Sequence, residues 1–471
     1  MNFFGYCNMT SDIIIIGAGA SGLMAGIAAA RGGATVTIIE KMPRPARKIM
    51  ITGKGRCNFT NVKAWNEFSQ HIRSKSNFLR PAFYNLSPEK MIVFLEENGL
   101  ETVVERGDRA FPASHRASDV IDTLVNAAKA AGVRFETGCG IESVEHDGEC
   151  FVLTGYCHKY SCKKLVIATG GLSYPGTGST GDGYKWAAAF GHKILPCFPS
   201  LTALVPKGYK TEAVNPEIKG HIDRSTPLSE LGKALCGTKL KNVGLSLYIN
   251  DNEVQNEFGD LDFTDGGIEG PIGFQISRNC VKAIFNGSKA RIVIDLKPGV
   301  ELEDVQKRVR SVWNDVQKDP RSRNLSVKGA LKVILGKLMP QEMILGFMMS
   351  NPGILNGKKG NERIDMNVLA ESLKEWAMPV EGFVGYERSV VTAGGVSTDE
   401  VFPKTMESRL SPGLYLCGEL LDVDCDTGGY NLQCAFSTGY LAGVSEWGNP
   451  PPARGAPPPE CIGRRARDPA K

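Results

Sequence analysis

DIIIIGAGASG, residues 12–22, runs four β-branched residues into a glycine cluster. Ser21 to Arg31 follows, rich in Ala, Leu and Met with no breaker beyond small Gly26, so the order is strand, tight turn, helix. Thr35 to Ile39 reads as a second strand ending at Glu40, which makes the βαβ start of a doubly wound α/β domain. In a G-x-G-x-x-G at that place, Gly17 allows the turn, Gly19 lets the backbone approach a pyrophosphate, and Gly22 lets helix pack closely on strand. Ala20 and Ser21 open the helix, whose free N–H groups and dipole favour phosphate charge. Glu40 stands 18 residues beyond Gly22, placed to accept from adenosine ribose hydroxyls. With strand, helix and acid all present, the stretch is read as a dinucleotide site.

Outward from this unit, helices are expected at Pro88 to Asn98 and Ala117 to Ala131, strands between Val133 and Leu153 and at Leu165 to Ala168, and a short helix at Gly183 to Phe190. From Cys197 to Leu296 short strand-like runs are split by Pro and Gly, which suggests a small β-rich domain. Helical spacing then appears at Glu301 to Trp313, Val327 to Leu338 and Asn367 to Trp376. A strand at Gly413 to Cys417 and a helix at Leu432 to Trp447 resume the α/β style. The expected division is a split dinucleotide domain over 9–196 and 386–447, an inserted β-rich substrate domain over 197–299 and 379–385, and a helical cap over 300–378. Residues 1–8 read as a frayed extension, and the Pro- and Arg-rich stretch 449–471 as a disordered tail.

Composition narrows the function. The 55 Lys and Arg exceed the 51 Asp and Glu by four, and the final stretch alone carries five cations against two anions. The folded body is therefore nearly neutral, which does not favour a nucleic-acid partner. Thirteen Cys without a C-x-x-C argue against a zinc ribbon, a dithiol motif or a secreted disulfide scaffold. The six His show no metal-ligand spacing, so no metal is expected. Ile13 to Ile16 is too short to span a bilayer, and a reducing cytoplasm is the expected compartment. A second G-x-G-x-x-G, Gly176 to Gly181, follows Pro175 and a polar loop and has no closing acid; it reads as a loop near a cofactor or substrate.

Four blocks carry a family resemblance. They are Glu40 with TGKGRCNFTN (52–61) and RAFPAS (109–114), then ATGGLSYP (168–175) with the glycine loop after it, and finally GELLDVD (418–424) with GGYNLQ (428–433). Together they resemble the BaiN/YhiN-like flavoproteins over nearly the whole chain. The resemblance implies FAD, held by Gly17, Gly19, Ala20, Ser21, Gly22, Glu40, Lys41 and Lys48. It places the flavin among Gly53, Gly55, Arg56, Cys57 and Asn58, Thr169, Gly170 and Gly171, and Gly418, Glu419, Asp422, Gly429, Tyr430 and Asn431. Amide N–H groups at Gly428 to Asn431 suit the N1 and C2 carbonyl of a reduced ring. Arg56 reads equally well as a charge for the ring and as a structural fork. Cys425 and Cys434 depart from the usual Gly and aromatic of the family; with Cys57 they read as small buried side chains lacking a paired thiol.

Tyr174 and Tyr430 are the candidate catalytic phenols, although an aromatic wall packing on the ring is the stronger reading of each. The resemblance implies an NADH- or NADPH-linked oxidoreductase acting on a C=C bond conjugated to a ketone. Its most specific form is an unsaturated 3-oxo bile acid or its CoA ester in bile acid 7-dehydroxylation, a small-molecule substrate with no membrane partner. An amine oxidase of the aminoacetone type, a flavin-dependent RNA-modifying protein and a flavin binder without turnover stand as alternatives.

Overall fold

The computed structural model describes residues 8–156, 158–211, 219–357 and 361–444. Most of the expected N-terminal extension and the whole expected tail lie outside these residues, although Asn8 already belongs to the first strand. That strand, Asn8–Ile16, is central in its sheet: it pairs in parallel with Val36–Glu40, Ile13 opposite Val36, and with Lys159–Ile167, Ile16 opposite Ile167. Both faces of such a strand are covered, so an unbroken apolar run replaces alternation. Ile13 to Ile16 are accordingly all buried. Arg134–Thr137 extends the sheet in parallel beyond Val36–Glu40. On the other side Phe151–Gly155 and Ile141–His146 add antiparallel, and Leu414–Leu416 returns parallel to Lys159–Ile167.

The helix of the glycine turn, Ala20–Arg31, packs against the final helix, Tyr430–Val444. Gly439 and Gly443 make that crossing close: a Cβ there would stand 2.1 Å from Ser21 O and 2.4 Å from Ala25 O. The first and last described helices thus belong to one domain.

Between them lies the insertion. Leu204–Pro206, Gly267–Glu269, Asn252–Thr264, Lys239–Ile249, Ala290–Asp295 and Trp376–Val384 pair in that order, and the last pairs back to the first, so the sheet closes as a six-stranded barrel. Its interior holds Leu245, Leu247, Phe263, Ile292, Ile294 and Trp376, all buried. The helices over 300–378 share this core through Val309, Leu335, Phe347 and Leu373, so they and the barrel form one body. A two-stranded ribbon, Ile194–Ser200 with Val391–Val396, links it to the sheet domain.

Two expectations need correction. The segment 197–296 is not only β: Gly270–Phe285 is a helix of 16 residues, with Pro271 in its first turn and Ile272, Ile276, Cys280 and Ile284 on its buried side. The sequence carries that four-residue spacing, but the flanking Gly and Pro resemble strand punctuation. Trp376 begins a barrel strand instead of ending a helix; the helix before it is Met366–Lys374. Among the described residues no helix is long and apolar enough to cross a membrane.

One ion pair fixes the insertion onto the sheet domain. Arg278, on Gly270–Phe285, donates from Nε to Asp424 Oδ2 at 2.6 Å and from Nη2 to Oδ1 at 3.0 Å, and the Asp424 side chain is fully buried. Removing one partner of a buried pair strands the other charge, at a cost of about 3–5 kcal/mol. Arg278→Met should lower stability by that amount in urea unfolding, and adding Asp424→Leu should restore much of it. A single variant within about 0.5 kcal/mol of wild type would mean that solvent already screens the pair.

Candidate active site

Sheet domain and barrel enclose one cavity of about 980 Å³. Its floor is the glycine turn. Gly17 has φ +105°, and a Cβ there would meet Ala168 O at 2.5 Å; a Cβ on Gly22 would meet Gly17 O at 1.9 Å. Both glycines serve the fold. Gly19 differs: it lines the cavity and no protein atom lies within 4 Å of where its Cβ would be. No side chain caps the helix that starts at Ala20, which leaves its first amides for an anion. At the end of Val36–Glu40, Glu40 accepts from Ala18 N through Oε2 and from Met42 N through Oε1, both at 2.8 Å. These bonds fix the carboxylate at the cavity and leave each oxygen a lone pair for a sugar hydroxyl.

The neighbouring wall is Thr52 to Asn58, where Gly53, Lys54, Gly55 and Cys57 all have positive φ. Lys54 and Cys57 hold a left-handed conformation that disfavours side chains, and Arg56 and Asn58 of the same loop line the cavity. Arg56 lies 4.5 Å over the Phe111 ring and donates to Glu105, so it acts as a fork as well as a wall charge. Asn58 Oδ1 is buried with no hydrogen-bond partner. A buried carbonyl oxygen left open is costly, and a ligand N–H in the cavity would satisfy it.

Two lysines are tied down. Lys48 Nζ lies 2.6 Å from Glu419 Oε2, and Glu419 Oε1 accepts from Thr392 N at 2.8 Å. Lys41 Nζ bonds Asp182 Oδ2 at 2.6 Å and also Thr180 Oγ1. Burial works against the charge on Asp182, but the bonds from Lys41 and Thr180 outweigh it and hold the carboxyl below its ordinary range. The second glycine loop is thereby fastened to the first βαβ unit, and Thr177 to Thr180 line the same cavity.

The opposite wall comes from the barrel. Glu269, Gly270, Pro271 and Phe274 line it at the start of Gly270–Phe285, and Arg388 holds Glu269 there with Nη2 at 3.2 Å from Oε2. Arg388 also donates from Nη1 to Asp265 at 2.5 Å. Tyr174 completes this end. It has φ +53°, its N–H donates to Tyr386 O at 2.8 Å, and it lines the cavity. Burial, then the nearby Glu269 carboxylate, raises its phenol above the ordinary value.

Of the residues read from the sequence, Gly17, Gly19, Ala20, Ser21, Glu40, Lys41, Lys48, Gly53, Arg56, Asn58, Thr169, Gly170, Tyr174, Gly418, Glu419, Gly429 and Asn431 line this cavity. Gly22, Gly55, Cys57, Gly171, Asp422 and Tyr430 stand outside its wall. Cys57 is buried behind the loop and its thiol is pushed up to about 12. Tyr430 stacks on His71 at 4.3 Å and meets Phe68 edge-on, so its ring packs away from the cavity; burial pushes its phenol up to about 12. None of residues 300–378 lines the cavity among the described ones. The sequence reading missed the barrel wall, Glu269 to Phe274 with Arg224 and Arg388. These residues carry no local motif, and only the closure of the barrel brings them to the glycine turn.

The cavity fits a flavin dinucleotide: an open glycine, an uncapped helix, a fixed carboxylate and an unpaired amide oxygen lie along one wall. A family model described as HI0933-like protein Rossmann domain matches residues 11–445. The 3-dehydro-bile acid delta(4,6)-reductase of Clostridium scindens is 31% identical over 431 residues, 91% of this chain and 97% of the relative. The ribosomal RNA dihydrouridine synthase of Escherichia coli is 32% identical over 429 residues, 91% of this chain and 96% of that protein. Among solved structures, the 3-ketosteroid delta1-dehydrogenase of Sterolibacterium denitrificans superposes with a TM-score of 0.47 at 13% identity, over 93% of this chain and 99% of that one.

Proposed function

Given that this chain belongs to the HI0933-like family of FAD-dependent oxidoreductases, we propose that it reduces a carbon–carbon double bond conjugated to a carbonyl, with NADH or NADPH as donor. The observation that carries the proposal is the composition of the cavity: one wall is the dinucleotide cradle, and the facing wall is the barrel with the Tyr174 phenol at its edge. Bound FAD supplies hydride chemistry. Reducing a conjugated bond also needs a proton at the neighbouring carbon, and the raised Tyr174 phenol holds one at neutral pH. Glu40 and the Ala20 helix start would bind the adenosine half, Asn58, Gly429 and Asn431 would orient the ring, and Pro271 and Phe274 line the facing barrel wall. The cell compartment we propose is the cytoplasm.

Both relatives' names support the same bond change, since a delta(4,6)-reductase and a dihydrouridine synthase each add two hydrogens to a ring double bond conjugated to a carbonyl. They differ in what carries the ring. We propose a 3-oxo steroid such as an unsaturated bile acid, or its CoA ester, as substrate. The matching identity of the Escherichia coli relative favours uridine in ribosomal RNA as the second reading. Exposed Arg44, Arg47, Lys54, Arg109 and Arg224 at the cavity edge suit an anionic substrate in either case.

Anaerobic stopped-flow tests the proposal: NADH or NADPH should bleach the flavin, and a 3-oxo-4-ene steroid should restore its colour. Restoration by ribosomal RNA but not by the steroid selects the second reading, and restoration by neither rejects the bond type. We propose that donor and acceptor share this cavity, so that the two alternate. Initial rates at several donor concentrations should then give parallel double-reciprocal lines, whereas intersecting lines would require both bound together.

A further inference from the structure

We propose that Cys434 is an oxidation site in the cavity wall and Cys425 its resolving partner, so that hydrogen peroxide converts the two reversibly into a disulfide. The sequence shows no paired thiol here, because the motif C-x8-C is not a recognised one and only the fold closes the loop. In the structure the two sulfurs lie 3.5 Å apart and both residues are buried. Cys434, on Tyr430–Val444, lines the cavity, whereas Cys425 stands behind it in the preceding loop. Asn431 holds that loop in place: its Oδ1 accepts from Cys425 N and its Nδ2 donates to Cys425 O, both at 2.9 Å. A disulfide needs the sulfurs at about 2.05 Å, so the shift required is small and along the existing contact.

The order of events follows from access and from the proton. A small oxidant entering the cavity meets Cys434 first. Its sulfur attacks one peroxide oxygen, the O–O bond breaks, and the departing hydroxide takes the Cys434 thiol proton as water, leaving a sulfenic acid. The Cys425 sulfur then attacks the Cys434 sulfur; the S–O bond breaks, and hydroxide leaves with the Cys425 proton as a second water. Two thiols and one peroxide thus give one disulfide and two waters. The hydrogen bond to Cys434, then burial, and the Asp424 and Asp426 carboxylates hold the Cys425 thiol well above its ordinary value. Attack by Cys425 therefore requires its proton to pass to the hydroxide leaving Cys434 as the S–S bond forms. Bound flavin, once reduced, would supply peroxide from dioxygen in this same cavity; only this source rests on the function proposed above, and the test supplies peroxide directly.

The experiment uses flavin-loaded full-length protein treated with hydrogen peroxide, quenched in acid, and denatured in light iodoacetamide. It is then reduced, labelled with heavy iodoacetamide and digested for mass spectrometry. Cys425 and Cys434 should become heavy together, in most molecules, and return to light after dithiothreitol treatment of the folded protein. Cys57 and Cys280, fully buried away from the cavity wall, should stay light and serve as internal controls. In Cys425→Ser, dimedone should capture Cys434 as its sulfenic acid. Cys425 and Cys434 remaining light when the controls begin to react, or Cys434 advancing to sulfinic acid without cross-linking in the wild type, would overturn the proposal. Because the wild-type labelling pattern decides by itself, a variant that fails to fold leaves the test intact.

Discussion

Gly19→Val yields a folded protein without flavin. The backbone at Gly19 has φ −79° and ψ −169°, an extended conformation that valine adopts freely. Apart from its chain neighbours, no protein atom lies within 4 Å of the new Cβ, so the side chain starts into open space. It projects into the space where a pyrophosphate must approach the helix start. Circular dichroism and the melting transition of the apoprotein should match wild type, while bound flavin after purification should fall by more than about tenfold, a loss above about 1.4 kcal/mol of binding free energy. Gly22→Ala is the contrasting case: its Cβ would sit 1.9 Å from Gly17 O, so it should lose the fold along with the cofactor. Full flavin content in Gly19→Val would remove the dinucleotide from this turn altogether.

The second large effect belongs to Tyr174→Phe. The ring and its packing remain, and only the proton-bearing oxygen is lost. General acid groups contribute on the order of 10²–10⁴ in rate, so flavin reoxidation by the unsaturated substrate should slow by about that factor. Flavin reduction by NADH or NADPH needs no proton from the phenol and should change little, and that split between half-reactions separates a proton donor from a wall residue. The pH sign follows from the raised pKa: the protonated phenol is the active form and persists below its pKa, so the oxidative half-reaction should hold through neutral pH. It should fail only above the ordinary tyrosine range near 10. Equal slowing of both halves, or of neither, would leave Tyr174 as an aromatic wall.

The dinucleotide half of the site was legible because its demands are local. A turn that forbids a Cβ at Gly17 and Gly22, a helix start and an acid at a strand end all fall within residues 12–40. The Tyr174 loop was legible from its glycines, though not the role of its neighbours. Glu269, Phe274 and Arg388 were invisible for a physical reason. They reach the cavity because a strand at Trp376–Val384 closes a barrel onto Leu204–Pro206, and such long-range pairing leaves no periodic trace near the residues it positions. The Cys425 and Cys434 contact was hidden in the same way, since nine residues of chain must bend before two sulfurs meet. The helix Gly270–Phe285 is a different kind of miss: its four-residue apolar spacing is readable in the sequence, and Pro271 serves as a helix starter.

The final helix, Tyr430–Val444, seats Gly439 and Gly443 on the backbone of Ser21 and Ala25. During synthesis this means that the first βαβ unit leaves the ribosome long before its partner exists. At typical translation speeds the delay is on the order of tens of seconds. The barrel and its helices, contiguous from Leu204 to Val384, can fold in that interval, while the glycine turn waits with the apolar face of Ala20–Arg31 uncovered. The part of the cavity wall formed by Cys434, Ala435 and Thr438 is therefore the last to be put in place.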